Sequence, residues 1–358
     1  MLTFSFVMID NSLFFYYHDF SLEMREDVVI KLRQKILQLL RDKSPAYISG
    51  EEMARFWGVS RTSVWKNIQA LQLDGYYIES SPRLGYRLTG VPDLLYPAEI
   101  IKGLQSRIIA SAPELICYFR QVDSTNTALK NLADQGAPEG TIAIAEEQTG
   151  GRGRLGRSWS SPAGKGISLS ILLRPSLAPG DTPLFTLMTA AAVTQGINNV
   201  APGLSIGIKW PNDLLISRRK VCGILTEIKA EADLLHYLII GIGINVNSKL
   251  EDFPPELKKI ATSIYLENNK TEVSRQKLTC SILQKLDDFY RRYFLEGPGF
   301  ILAEWKKYNI TLGRKITINT FRDRITGTAV GLSPRGALIL EEKDGTRREF
   351  HSGEVTLR

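Results

Sequence analysis

Five stretches of this chain share one pattern that limits what it can fold into. Ile167–Leu173 places Ile167, Leu169, Ile171 and Leu173 on one face and Ser168 and Ser170 on the other. Leu238–Asn245 carries Gly241 and Gly243, two apart and so on one face of an extended strand. Thr141–Glu147 sets Ile142 and Ile144 against Ala143 and Ala145, and Leu204–Lys209 sets Leu204, Ile206 and Ile208 against Ser205, Gly207 and Lys209. Val221–Ile228 has Gly223 among apolar residues. Period two over such lengths predicts β-strands with one bulky and one nearly bare face. Glycine weakens a strand unless something must approach closely. Either a ligand or a closely packed backbone lies on that face, and its recurrence over several strands favours a ligand.

Lys209 ends the small face of its strand and is followed by the turn-like Trp210-Pro211-Asn212-Asp213. A lysine at a strand end is ordinarily a solvated one. Here serine and glycine before it, and Asn212 and Asp213 after it, point its ammonium over the bare floor. Upstream, Asp123-Ser124-Thr125-Asn126 opens a helix that Gly136 closes. A helix N-terminus offers unpaired N–H groups, and these side chains can hold a polar ligand. Plain capping needs only one of them and, taken alone, is the better account.

Between two of the strands lies Gly150–Ser168, GGRGRLGRSWSSPAGKGIS. Gly151, Gly153 and Gly156 fit G-x-G-x-x-G, and Gly151–Ser158 fits a phosphate loop with arginine in place of lysine. Both patterns require a helix to follow. Here Trp159-Ser160-Ser161-Pro162 and two further glycines break any helix, and a strand comes next. What remains is a flexible loop whose Arg152, Arg154 and Arg157 suit phosphate or carboxylate. Its glycines allow it to close over an anion and reopen. An arginine-rich nucleic-acid patch is the alternative, but it lacks aromatic residues beyond Trp159.

The 358 residues suggest two or three domains, and 43% hydrophobic content supplies their cores. A formal charge of +7 permits anionic partners without requiring them. Cys117, Cys222 and Cys280 are isolated, as are His18, His236 and His351, which argues against a disulfide framework, a zinc site and a Cys- or His-based nucleophile. Residues 1–24 are apolar, but they lack a basic start and a cleavage site and are broken by Asp10, His18 and Asp19. They read as neither a signal peptide nor a membrane span. Met24 precedes an amphipathic helix and is the expected start, which leaves 1–24 as a non-native or disordered extension. A cytoplasmic location is expected.

From Val28 to Leu40 the residues Val29, Leu32, Ile36, Leu39 and Leu40 form a helical stripe. Ser49 with Glu52 predicts the capped start of a second helix that stops at Gly58, and Ser60 caps a third bearing Val64, Ile68 and Leu71. This is helix-turn-helix spacing, and two short strands around Ser80–Gly85 add a wing. Residues 25–90 hold eleven Lys/Arg and seven Asp/Glu. Arg61, Thr62, Ser63, Lys66 and Asn67 on the third helix, with Arg83 and Arg87 in the wing, are candidate phosphate and base-edge partners. A winged helix used for protein contacts is the other reading.

Together these residues resemble the biotin protein ligases. The resemblance rests on Ser124-Thr125-Asn126, Glu146-x-Gln148-Thr-x-Gly151-Arg-Gly-Arg154, Arg157-x-Trp159-x-Ser-Pro162, Lys209-Trp-Pro-Asn-Asp213, Lys220-x-x-Gly-Ile-Leu225 and Gly241-Ile-Gly-Ile-Asn-Val246, in that order. It covers about residues 25–358, and the winged helix makes the chain similar to the bifunctional subclass that also represses the biotin operon. The implied fold is α+β and multidomain: a winged helix-turn-helix over 25–90, a mixed β-sheet with helices over 91–311, and a small β-barrel over 312–358. The barrel also agrees with the alternating tail and its turns at Pro334-Arg335-Gly336 and Lys343-Asp344-Gly345.

The implied reaction joins biotin to ATP with Mg²⁺, giving biotinyl-5′-AMP, and passes biotin to a lysine of a biotin carboxyl carrier protein. The resemblance implies biotin contacts from Ser124, Thr125, Asn126, Gln148, Arg152, Gly153, Arg154 and Lys209. It implies adenylate contacts from Arg154, Arg157, Trp159, Asn212, Asp213 and Asn245, with catalysis by Lys209 and Arg154 and no assigned metal ligand. The loop 247–262 is expected over the adenine, and Gly223 to give a backbone contact. A liganded homodimer on operator DNA is also implied. A biotin sensor without enzymatic activity and a lipoate ligase are the competing readings. The first leaves Lys209 and the arginine loop without purpose, and the second does not fit the GRGR and KWPND motifs or the winged helix.

Overall fold

The computed structural model describes residues 8–9, 12–13, 32–320 and 323–357. Chain contacts divide it into two units, 1–93 and 94–358. Of residues 1–24 only a short antiparallel pair is described, β1 (Met8–Ile9) with β2 (Ser12–Leu13). The expected extension otherwise lies outside the described residues, as do Val28 and Val29.

The first unit has a helix α1 over 32–42, α2 (Gly50–Trp57) and α3 (Arg61–Leu73). Ser49 caps α2 by accepting from the Glu52 N–H, and Ser60 caps α3 by accepting from the Ser63 N–H. Gly58 ends α2 at φ 65°, a left-handed position that only glycine adopts cheaply. Leu32, Ile36, Leu40, Val64, Ile68 and Leu71 are buried. Strands β3 (Tyr77–Ser81) and β4 (Gly85–Gly90) form the antiparallel wing.

The second unit opens with α4 (Pro97–Gly103) and is built on seven strands: β5 (Ile116–Val122), β6 (Ile142–Gln148), β7 (Gly166–Leu173), β8 (Ile206–Lys209), β9 (Asp213–Ile216), β10 (Arg219–Glu231) and β11 (Leu234–Asn245). Their order is β5-β6-β7-β11-β10-β9-β8. Only β5 and β6 run parallel, joined by α5 (Thr125–Asp134), so the sheet is mixed. The bulky face of the sheet packs on α6 (Pro183–Val200) together with the later helices α8 (Arg275–Glu296) and α9 (Pro298–Lys306) in one continuous core. A one-turn helix α7 (Ile264–Glu267) precedes α8.

The register lines the small residues up across strands. One row runs Lys209, Asp213, Gly223, Gly243, Ser168, Ala145, and the next runs Leu225, Gly241, Ser170, Ala143. Directly opposed residues share a face, so the bare strand faces merge into one floor. Beneath its rim, Arg275 Nη1 donates to Glu146 Oε2 at 2.7 Å, both groups being buried, and Glu146 Oε1 accepts from the Leu95 N–H at 2.7 Å. A buried charge is tolerated only when paired in this way. The pairing fixes β6 two residues before Gln148.

The tail forms β12 (Lys315–Asn319), β13 (Arg324–Leu332), β14 (Leu338–Glu341), β15 (Arg347–Phe350) and β16 (Glu354–Leu357), antiparallel in the order β15-β14-β13-β12-β16. The expected barrel appears as this sheet, and among the described residues no ladder closes β15 onto β16. Trp210, fully buried, donates its indole N–H to Gly336 O at 3.1 Å and so ties the tail to the Lys209–Asp213 turn.

Candidate functional site

A cleft of about 240 Å³ opens over the floor. Every residue expected to touch biotin or adenylate lines it: Ser124, Thr125, Asn126, Gln148, Arg152, Gly153, Arg154, Arg157, Trp159, Lys209, Asn212, Asp213 and Asn245. Gly223 lines it too.

At the start of α5 the N–H groups of Ser124 and Thr125 are met by Asp123 and Gln148 rather than by the expected capping side chain. The Ser124 side chain makes no cap hydrogen bond. Gln148 Oε1 accepts from the Thr125 N–H at 2.8 Å and lies 3.1 Å from Thr125 Oγ1. Ser170 Oγ lies 2.7 Å from Thr125 Oγ1 and 2.6 Å from Asn126 Oδ1, and donates its one proton into that pair. Asn126 Nδ2 donates to Glu227 Oε2 at 2.6 Å. Each side chain is thus held in place by its neighbours. Glu227 has no motif of its own and escaped the sequence reading.

The floor is not left entirely to a ligand. Asn126 Oδ1 fills the space where a Cβ on Gly241 would stand, and the Trp159 indole fills that of Gly243. Close packing thus accounts for the two glycines, by side chains rather than by backbone, and a cleft lies above the rest.

Charge in the cleft is unbalanced. Arg152, Arg154, Arg157, Lys209 and Lys220 face only Asp213 and Glu354 among the lining residues. Asp213 lies 3.2 Å from Lys209 Nζ and 2.6 Å from Lys220 Nζ. Burial alone would push the Asp213 carboxyl up, but the two ammoniums outweigh it and hold the group below the usual carboxylate range. Burial lowers the Arg154 guanidinium, with Asp213 and Glu354 opposing the shift.

The loop 149–165 runs from β6 to β7, as its breakers require, and Gly166–Ser168 already belong to β7. It holds only a short turn, Arg154–Gly156, with Leu155 at φ 56°. Its arginines reach protein acceptors. Arg152 donates to Thr127 Oγ1, and Arg154 Nη1 to Asn212 Oδ1 at 3.2 Å and Gly353 O at 3.4 Å. Arg157 Nη2 meets both Glu354 oxygens at 2.6 and 2.7 Å. The tail strand β16 thus begins against the loop.

Asn212 and Asn245 serve the walls. Asn212 Nδ2 donates to Ile224 O at 2.8 Å and Asn245 Nδ2 to Thr262 O at 3.0 Å, both side chains being buried. Phe253, Leu257, Ile260 and Ala261 bring the 247–262 loop to the cleft. Burial pushes the thiols up, Cys117 and Cys280 to about 11 and Cys222 further, so none is poised as a nucleophile.

On α3, Arg61, Thr62 and Lys66 are exposed and Ser63 half-exposed, in line with the outward face expected, and Arg83 is exposed at the wing tip. Asn67 is a correction: at 5% exposure it points inward and its Nδ2 donates to Ser63 O at 2.9 Å. The helical phase set by Val64, Ile68 and Leu71 puts residue 67 on their side. Arg87 is also committed internally, 2.5 Å from Glu79 and stacked 4.6 Å over the Tyr47 ring. Trp65 and Gln69 are exposed on α3 and were not singled out from the sequence.

Comparison with known proteins agrees with this geometry. The Biotin/lipoate A/B protein ligase family matches residues 118–245, an HTH domain 32–87, and a Biotin protein ligase C terminal domain 311–358. The bifunctional ligase/repressor BirA of Bacillus subtilis (strain 168) is 38% identical over 326 residues, 91% of this chain and 98% of the relative. That of Bacillus spizizenii is 39% identical over the same spans. The solved biotin protein ligase of Aquifex aeolicus in complex with biotin and ATP is similar at TM-score 0.57 and 30% identity, covering 68% of this chain and 98% of that one. No helix among the described residues is long and apolar enough to cross a membrane. The chain belongs to the biotin protein ligase family, among the bifunctional members that join a helix-turn-helix unit to the ligase.

Proposed function

We propose that this protein activates biotin with ATP to biotinyl-5′-AMP and pyrophosphate, transfers biotin to a lysine of a biotin carboxyl carrier protein, and represses transcription through its winged helix. The observation that carries the reading is the surplus of cations over a floor of small residues, beside a fixed polar cluster at the start of α5. In the first step the biotin carboxylate attacks the α-phosphate, so two anions must meet, and pyrophosphate leaves with the charge. A preorganised ammonium at that point stabilises the charge as it develops. Lys209 takes this role. Ser124, Thr125, Asn126 and Gln148 hold the biotin ring and tail, and Arg152, Gly153 and Arg154 cover biotin and the adenylate. Arg157 and Trp159 flank the nucleotide. In the second step the acceptor amine attacks the acyl carbon, AMP leaves, and the amine proton passes to solvent.

Asn212 and Asn245, committed to backbone carbonyls, shape the nucleotide wall rather than reach the nucleotide. Mg²⁺ does not fit as a resident ion. Among the described residues no group of three His, Cys, Asp or Glu side chains could hold a metal, and the cleft carboxylate Asp213 already faces two ammoniums. The ion belongs on the nucleotide phosphates, and the steps above do not run through it.

The described helix-turn-helix, with Arg61, Thr62, Lys66 and Arg83 exposed, supports operator binding, with two-fold pairing of liganded copies matching a palindromic site. Pyrophosphate exchange into ATP, run with biotin and then with lipoate, tests the ligase half. Exchange dependent on biotin is expected, and exchange indifferent to biotin refutes the reading.

A further inference from the structure

Trp65 has no part in operator binding as described so far, yet it stands in the middle of the face offered to DNA. Of the five tryptophans, Trp210 and Trp305 are buried, Trp57 and Trp159 are half-buried, and Trp65 alone is exposed, at 46%. A single exposed apolar side chain is ordinary on a protein surface. What sets this one apart is its place.

Val64, Ile68 and Leu71 are buried and fix the phase of α3. The opposite side carries Arg61, Trp65 and Gln69, each one turn from the next, with Thr62 and Lys66 beside them, and all five are exposed. The first turn of α3 has no acidic residue. The nearest acid to Arg61 is Glu51 at 3.9 Å, with side chains 75% and 74% exposed, too loose a pair to hold the guanidinium. The helix therefore offers one flat apolar ring framed by cations. Cations at the edges suit the phosphates of a duplex, and the ring between them then faces the floor of the major groove. On that floor the apolar group that a base pair presents is the 5-methyl of thymine.

We propose that Trp65 is a specificity-determining residue that reads thymine, its indole packed on a 5-methyl group in each operator half-site between phosphate contacts from Arg61 and Lys66. Each half-site then carries an A·T pair opposite the middle of α3. This inference rests on the operator reading of the winged helix.

The test uses the full chain with biotin and ATP, and duplexes selected by the wild type from a random library. Each selected thymine is replaced in turn by deoxyuridine, which removes the methyl and leaves the pairing unchanged. Gel-shift titration of the wild type should show about a fourfold loss at one position per half-site. Trp65→Ala should bind the unmodified duplex at least about tenfold more weakly, ignore the methyl at that position, and keep the wild-type salt slope, since no charge is lost. Trp65→Phe should retain the methyl sensitivity. A wild type indifferent to every deoxyuridine overturns the proposal, as does Trp65→Ala with undiminished sensitivity at every position. A fall in salt slope together with affinity in Trp65→Ala would mark the residue as structural and overturn it too. A wild type that selects no sequence would instead sink the operator reading itself.

Discussion

The amide oxygen of Asn126 occupies the space that a Cβ on Gly241 would need, so this helix residue and this strand residue fit only as a pair. Asn126 is held there by Ser170 and Glu227. Gly241→Ala should displace the amide and break both contacts. Overpacking of this kind costs about 1–3 kcal/mol. Biotin affinity should fall at least about tenfold, equivalent to about 1.4 kcal/mol. Calorimetry with biotin, alongside thermal unfolding, measures both, and wild-type affinity in the variant would remove Asn126 from the biotin site.

Lys209→Ala should lose adenylate formation while keeping its fold. Asp213 retains Lys220 at 2.6 Å, so the buried carboxylate stays paired. Removing one preorganised charge-stabilising donor costs about 10²–10³ in kcat. Single-turnover formation of biotinyl-AMP slowed by that factor, with an unchanged Tm, is the expected result, and normal turnover would refute the assignment.

Arg154 joins the loop to Asn212 and to the tail strand through Gly353. Arg154→Gly should free the loop and quicken release of biotinyl-AMP by about tenfold, the loss of roughly one charge-assisted hydrogen bond. Chase experiments with preformed adenylate read the off-rate directly, and an unaltered rate counts against a closing loop.

In the winged helix, Arg61→Ala should weaken operator binding and lower its salt slope by about one, with ligation untouched. Asn67→Ala should behave differently. Asn67 is buried and bonded to its own helix, so its loss should appear in thermal stability rather than in base preference. Gel-shift titrations at several salt concentrations separate the two, and altered base preference in Asn67→Ala would overturn its inward placement.

Asp287 predicts the response to acid. Its Oδ1 accepts from the N–H groups of Arg107, Ile108 and Ile109 at 3.2, 2.7 and 3.0 Å. Burial pushes this carboxyl up, but the backbone donors, led by Ile109 and Ile108, prevail and hold it below its ordinary value. A carboxyl whose pKa is lowered by folding adds stability that is present above the unfolded pKa and is lost as pH falls through the folded one. Melting temperature measured downward from about pH 5 should therefore drop more steeply in the wild type than in Asp287→Asn. Parallel curves would rule out this linkage.

Much of the site is legible in the sequence. Alternation in Ile167–Leu173 and Leu238–Asn245 exposes small faces because side chains on a strand must alternate. The breakers after Gly156 exclude a phosphate cradle because a helix cannot pass through Trp159-Ser160-Ser161-Pro162 and the glycines beyond. Less legible were contacts set by distant residues. Nothing local marks Glu227 as the acceptor for Asn126 or Glu354 as the acceptor for Arg157, since each pair meets only after the sheet and tail have assembled.

Lys220 shows most clearly where the two levels divide. The sequence by itself determined the strand, its glycine and the small face, through period two and steric size. By strict alternation residues 220 and 223 point to opposite faces, which would turn Lys220 away from the floor. The tertiary structure decided otherwise, because the pairing of β10 with β9 slips between Lys220 and Cys222, opposing Lys220 to Leu215 and Cys222 to Leu214. That bulge adds one residue and reverses the parity. It turns the lysine onto the same face as Gly223 and Asp213, because register is a property of two strands and not of one.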